Sequence, residues 1–153
     1  VIIGHLPSGY ILARHLPPLP LVMGAAILGG VFPDFDMIWF YLVDDRAVHH
    51  HRYWVHIPAF WSTVCAVTMP LIYTFARQLF LPAVTFFVAV MMHCVLDTVA
   101  GGILWHWPFS NEFTHFMTIP SRYDNWIWNF VLHPVFGLEL LIWGWALWLW
   151  KNR

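Results

Sequence analysis

Charged residues are few. Asp, Glu, Lys and Arg make up 10% of the 153 residues, against about 25% in an average soluble domain, which excludes an ordinary water-facing surface for most of this chain. Positive charge is not in excess either. Seven Lys and Arg stand against eight Asp and Glu, a formal net charge of −1, and without a basic face to neutralise phosphates no nucleic-acid partner is expected. Only two cysteines occur, Cys65 and Cys94, both inside apolar runs. They read as packing residues rather than a disulfide and leave the redox compartment open. There is no internal repeat, and the first apolar run is followed by "FPDFD" rather than the small-residue cleavage site of a signal peptide. Numbering starts at Val1 with no initiator Met, so residues in front of it are expected.

Apolar and aromatic residues fill the space that charge leaves. The chain is 60% hydrophobic, with eleven Trp, thirteen Phe and five Tyr, and Trp and Tyr favour membrane interfaces, where the ring is apolar and its polar atom wet. The expected solvent is a bilayer, whose hydrocarbon core a helix of about 20 residues crosses. Residues 57–76, 80–104 and 126–150 meet that length. A fourth run, 19–43, is interrupted by Gly29, Gly30 and Pro33 and is expected to be helical to about Val31 and then kinked or re-entrant. Ahead of it, "HLPSGYILARHLPPLP" reads as a short interfacial helix ended by Pro17 and Pro18. The expected fold is an all-α integral membrane bundle with about four membrane-embedded helices and a short N-terminal interfacial helix, a single domain over residues 1–153. With four spans, Arg14, Arg77, Lys151 and Arg153 share a side opposite Arg46, Arg52 and Arg122, a slight bias toward cytoplasmic termini.

That topology gathers the unusual polar residues on one face. Asp34 and Asp36 close the first run, "HHHRYWVH" (49–56) precedes the second, and His93 and Asp97 lie in the outer half of the third. An ionised Asp at a lipid-exposed helix centre costs about 2.5 to 3.5 kcal/mol, so Asp97 is expected to face the bundle interior with a partner. His93, one turn earlier, shares its helix face. Taken alone, this pair fits a simple buried hydrogen bond as well as a ligand pair, and two acids at a span end fit ordinary interfacial charges. One metal centre accounts for the loop, the acids and the helix pair together. His51, His56, His93, Asp34, Asp36 and Asp97 offer six nitrogen or oxygen ligands, with His5 and His106 in reserve, and Arg52 beside them could bind an anionic group or balance the carboxylates. His49 and His50 are expected outside the site. The donor set, free of Cys, fits zinc, with manganese or iron as alternatives. Two adjacent metals would suit phosphoester hydrolysis.

These motifs resemble the membrane-bound predicted metal-dependent hydrolases of the YdjM type, bacterial inner-membrane proteins. "GHLPSGY" supplies the early His, "PDFD" follows a Gly-containing run, and "HRYWVH" stands for His-Arg-Gly-x-Thr-His-Ser. "HCVLD" matches His-x-x-x-Asp and "GGILWHWPFS" a Gly-x-x-x-x-Trp-Pro segment, all in family order over residues 1–110. The resemblance implies His5, Asp34, His51, His56, His93 and Asp97 as metal ligands, Asp36 and Arg52 as catalytic neighbours, and a location in the bacterial inner membrane. A distant similarity to zinc-dependent phospholipases C and related nucleases implies a phosphoester substrate, a lipid or lipid-linked head group. Tyr53, Val55 and Ile57 replace the family's Gly, Thr and Ser, which removes two hydroxyls, and His133 and Glu139, six apart, do not form a second His-x-x-x-acid pair.

Two other functions remain open on the sequence. A catalytically silent accessory subunit of a larger respiratory or photosynthetic membrane complex would use the aromatic-rich last run, where Glu139 has no local counter-charge. A tetrapyrrole carrier would use His93 or His133 as an axial ligand, and leaves the Asp residues without a role.

Overall fold

The computed structural model describes residues 3–152. In chain order its helices are α1 (His5–Arg14), α2 (Val22–Val31), α3 (Asp36–Leu42), α4 (Pro58–Phe75), α5 (Phe80–Thr98), α6 (Trp126–Val131) and α7 (Phe136–Lys151), and a lone bridge pairs Ile103 with Thr114. The packing centre is α2, which lies between α1 and α5; α4 adds to α5, and α7 to α1.

Small residues make that centre possible. A Cβ on Gly29 would sit 2.5 Å from the Phe86 carbonyl oxygen of α5, and one on Gly30 would sit 2.9 Å from the His5 carbonyl oxygen of α1. Helices in apolar surroundings gain little from hydrophobic association, so close backbone approach through small residues carries the packing. Gly29 and Gly30 therefore do not interrupt the helix: α2 continues through both to Val31. The break falls at Pro33, which opens a 3₁₀ turn over Pro33–Phe35, and the two limbs Val22–Val31 and Pro33–Leu42 meet at 49°.

Two stretches, Pro58–Phe75 and Arg77–Thr98, are long and apolar enough to cross a membrane, and the bent pair makes a third if it counts as one span. The expected span over 126–150 divides into α6 and a 16-residue α7. Pro134 explains the division, since it lacks an N–H and disfavours helical backbone at His133. Residues 5–14 form the expected short N-terminal helix, α1, which buries His5, Ser8, Gly9 and Ile11 against the bundle and ends at Arg14, ahead of the prolines. The outer face of α4 exposes Val67, Leu71, Tyr73 and Phe75. So large an apolar surface is stable in lipid and not in water.

At the loop end of the bundle, an aromatic and aliphatic cluster of Val55, Trp61 and Val90 packs with Phe32 and Phe86. The Trp61 indole N–H donates to the Val55 carbonyl at 2.8 Å, which ties the histidine loop to α4. Gly29→Ala is expected to force α2 off α5 and to destabilise the chain by about 1–3 kcal/mol, as overpacking does. Gly24→Ala, whose Cβ meets nothing within 4 Å, should stay within about 0.5 kcal/mol of the parent. Thermal unfolding in mild detergent compares the two.

Candidate metal centre

Asp97, on the last turn of α5, is 2% exposed and draws four imidazoles around one carboxylate. His5 Nε2 lies 3.0 Å from Oδ1, while His93, His51 and His56 present Nε2 at 3.1, 3.4 and 3.6 Å from Oδ2. Asp34, at the bend after α2, brings Oδ1 to 3.7 Å from His93 Nε2 and 4.0 Å from His56 Nε2. The two Nε2 atoms of His56 and His93 are themselves 3.3 Å apart.

The outer nitrogens show which way the lone pairs face. His93 Nδ1–H donates to the Gly30 carbonyl at 2.7 Å, and His51 Nδ1–H donates to the Gly102 carbonyl at 2.8 Å. His56 Nδ1 lies 2.8 Å from Asp36 Oδ2. With Nδ1 protonated and engaged, the Nε2 lone pairs of His51 and His93 turn inward. A second proton on His93 could satisfy its own contact with Asp97. It would not serve His51 and His56, which aim at the same oxygen. Several lone pairs and two carboxylates around one point are the arrangement of ligands about a cation, and outer N–H groups held by carbonyls are how ligand histidines are oriented. The residues present therefore fit a divalent metal of the nitrogen- and oxygen-binding kind.

Each side chain is placed by local structure. His5 opens α1, and the segment before it is clamped by α7: the Ile3 N–H donates to Glu139 Oε2 at 2.6 Å and the Trp143 indole N–H donates to the Ile3 carbonyl at 3.0 Å. Glu139 is fully buried, and its partner comes from the far end of the chain. His5 also stacks on His93, ring centroids 3.7 Å apart. His51 and His56 lie in two successive 3₁₀ turns, His50–Arg52 and Trp54–His56; that irregular path brings together two residues five apart. Gly102 adopts φ +75°, which turns the chain after α5 so that its carbonyl meets His51.

The sequence candidates divide by position. His5, Asp34, His51, His56, His93 and Asp97 converge. Asp36 is 8% exposed and stands behind His56 rather than among the inward nitrogens. Arg52 is exposed, with its guanidinium 5.1 Å from the centre of the Phe113 ring. His106 is exposed as well. His49 stays outside, and its Nδ1 accepts the His51 backbone N–H at 3.2 Å. His50 differs from expectation: its Nδ1 is 3.6 Å from Asp36 Oδ1, because the 3₁₀ turn rotates it inward beside His51. The single signal for it in the sequence was adjacency to His51.

A cavity of about 380 Å³ opens over this cluster. Asp34, His50, His51 and Asp97 line one side, and Met37, Ile119, Trp126 and Phe130 provide apolar wall. Trp126 and Phe130 come from α6, and Ile119 from the loop that follows the Ile103 and Thr114 bridge. No sequence pattern singled these out.

A buried His/Asp cluster with inward-facing nitrogens, set at one end of an apolar helical bundle, defines a membrane protein with a candidate metal centre. The chain belongs to the YdjM inner membrane protein family, whose family model matches residues 1–152. No curated protein and no solved structure matches it.

Burial pushes His51 from its ordinary value of 6.5 down to about 3, against the opposing pull of Asp97, and burial also lowers His56. Both rings stay neutral near pH 7. In the unfolded chain His51 takes up a proton near pH 6.5, but in the folded chain only near 3. Stability of the metal-free protein should therefore be insensitive to this group above pH 6.5 and fall from 6.5 toward 3, by up to about 1.4 kcal/mol per pH unit for one proton. Unfolding in detergent across that range should give a shallower slope for His51→Gln than for the parent.

Proposed function

We propose that the chain is a multi-pass inner-membrane metal-dependent hydrolase that acts on a phosphoester, with a lipid or lipid-linked head group as its substrate. The observation that supports this most is the convergence of three imidazole Nε2 atoms and two carboxylates beneath an open, half-apolar cavity. His5, Asp34, His51, His56, His93 and Asp97 would hold the ion, zinc by their chemistry, with manganese or iron as alternatives. When bound, such a metal supplies an activated water and stabilises charge on a phosphoryl oxygen.

The chain's own groups do the rest. The Gly30 and Gly102 carbonyls hold the His93 and His51 rings, and Asp36 positions His56. Met37, Ile119, Trp126 and Phe130 keep water from one side of the cavity and suit the apolar part of an amphiphile. Arg52 would reach an anionic head group only by turning away from Phe113. Counting α4, α5, the bent α2 and α3 pair, and α7 as embedded gives four segments, with Arg14, Arg77 and Lys151 toward the cytoplasm; His5, at the start of α1, lies at the opposite end with Asp97.

A second reading, an accessory subunit of a larger membrane complex, draws on α7, where Leu140, Leu141, Trp145, Trp148 and Trp150 are exposed. Lipid would cover that face equally well. A tetrapyrrole on His93 is disfavoured because the ring is fully buried, with one nitrogen on Gly30 and the other 3.3 Å from His56.

Elemental analysis of the untagged chain in mild detergent tests the main reading. At least one equivalent of zinc, manganese or iron is expected, and it should be lost from an Asp97→Ala/His93→Ala variant; metal-free parent protein that is fully folded would sink the hydrolase and favour the accessory subunit. Gly101→Ala offers a subtler check. Its Cβ would lie 2.5 Å from His51 Cε1, so displacement of that ring should weaken zinc binding about 10- to 100-fold, as loss of an orienting contact does, in a competition titration against a chromophoric chelator.

A further inference from the structure

Asp36 does more than its contact with His56 accounts for. Both of its carboxylate oxygens are buried without a hydrogen-bond partner among the described residues. The same holds for His50 Nδ1, 3.6 Å from Oδ1, and for His56 Nδ1, which is 2.8 Å from Oδ2 but outside hydrogen-bond angles. Four buried polar atoms from three residues thus face one another without the bonds that normally offset loss of water. A cation beside them would supply what is missing.

A separate grouping falls at the same place. His50, His51 and His56 can each offer one ring nitrogen with all three atoms within 4.8 Å of one another, a set apart from His5, Asp34, His93 and Asp97. We infer that His50, His51 and His56, with Asp36 alongside, form a second divalent-cation position next to the first. This rests on the reading of the cluster as a metal centre and divides its donors: His5, Asp34, His93 and Asp97 would hold the first ion, and His51 and His56, counted with it above, would belong to the second. Asp97 lies between the two groups, with Oδ1 toward His5 and Oδ2 toward His51, His56 and His93. A carboxylate so placed can serve both ions at once.

The donors define the ion's class. Three imidazoles suit zinc and its transition-metal neighbours, whereas magnesium and calcium take mainly oxygen. His50 keeps 24% of its side chain exposed and lines the cavity. The second ion is therefore the more accessible one, adjacent to whatever the cavity holds.

The test uses the full, untagged chain in mild detergent, stripped of metal, loaded with Zn²⁺, desalted and counted for zinc per chain. Two equivalents are expected for the parent, one for His50→Gln, one for His5→Gln and none for the pair combined; circular dichroism and thermal unfolding verify the fold of each. Mg²⁺ in place of Zn²⁺ should not fill the second position. A parent that holds two equivalents while a folded His50→Gln also holds two would overturn the second position and leave the metal centre standing. A parent that holds one would do the same without any variant. A parent that holds none would overturn both.

Discussion

Four imidazole nitrogens, from the start of α1, the loop before α4 and the body of α5, lie within 3.0 to 3.6 Å of the Asp97 carboxylate. A buried anion is tolerated only where opposite charge or hydrogen bonds replace water, and deleting one partner of such a set costs about 3–5 kcal/mol. Asp97 therefore dictates where three distant parts of the chain must meet. Because His93 shares its helix with Asp97, α5 supplies a rigid pair, and the other elements are packed against it.

The close packing of the bundle follows from the same requirement. His93 reaches the Gly30 carbonyl only because α2 and α5 approach closely, and they do so where Gly29 would place a Cβ against Phe86. His5 stacks on His93 because Gly30 lets α1 close on α2. Helix packing and the geometry of the His/Asp cluster are thus one problem, solved by the same two glycines. On the far side Glu139 and Trp143 of α7 hold Ile3, two residues before His5, so even the outermost helix bears on the site.

The bundle's surface and its interior answer to different solvents. Outward residues of α4 and α7 are apolar and exposed, as lipid allows. The polar atoms collect at one end, under a cavity whose far wall is built from α6 and the long loop after α5. Under the proposed function, the head group of an amphiphile would lie over the carboxylates and its apolar part against Trp126 and Phe130.

The sequence by itself determined the solvent, the helical class, the kink after Val31 and the residues that converge. Apolar run length, a proline's missing N–H and the i, i+4 spacing of His93 and Asp97 are local properties, and local properties can be read in order along a chain. The division of 126–150 at Pro134 was just as local and went unread. Tertiary structure decided the remainder. That α1 packs into the bundle, that His50 turns inward while Arg52 turns out, and that the outer nitrogens are held by the Gly30 and Gly102 carbonyls depend on contacts between residues up to 140 positions apart. Backbone carbonyls and ring orientations carry no sequence signature, because every residue has the same carbonyl and only the packed fold chooses which imidazole it meets.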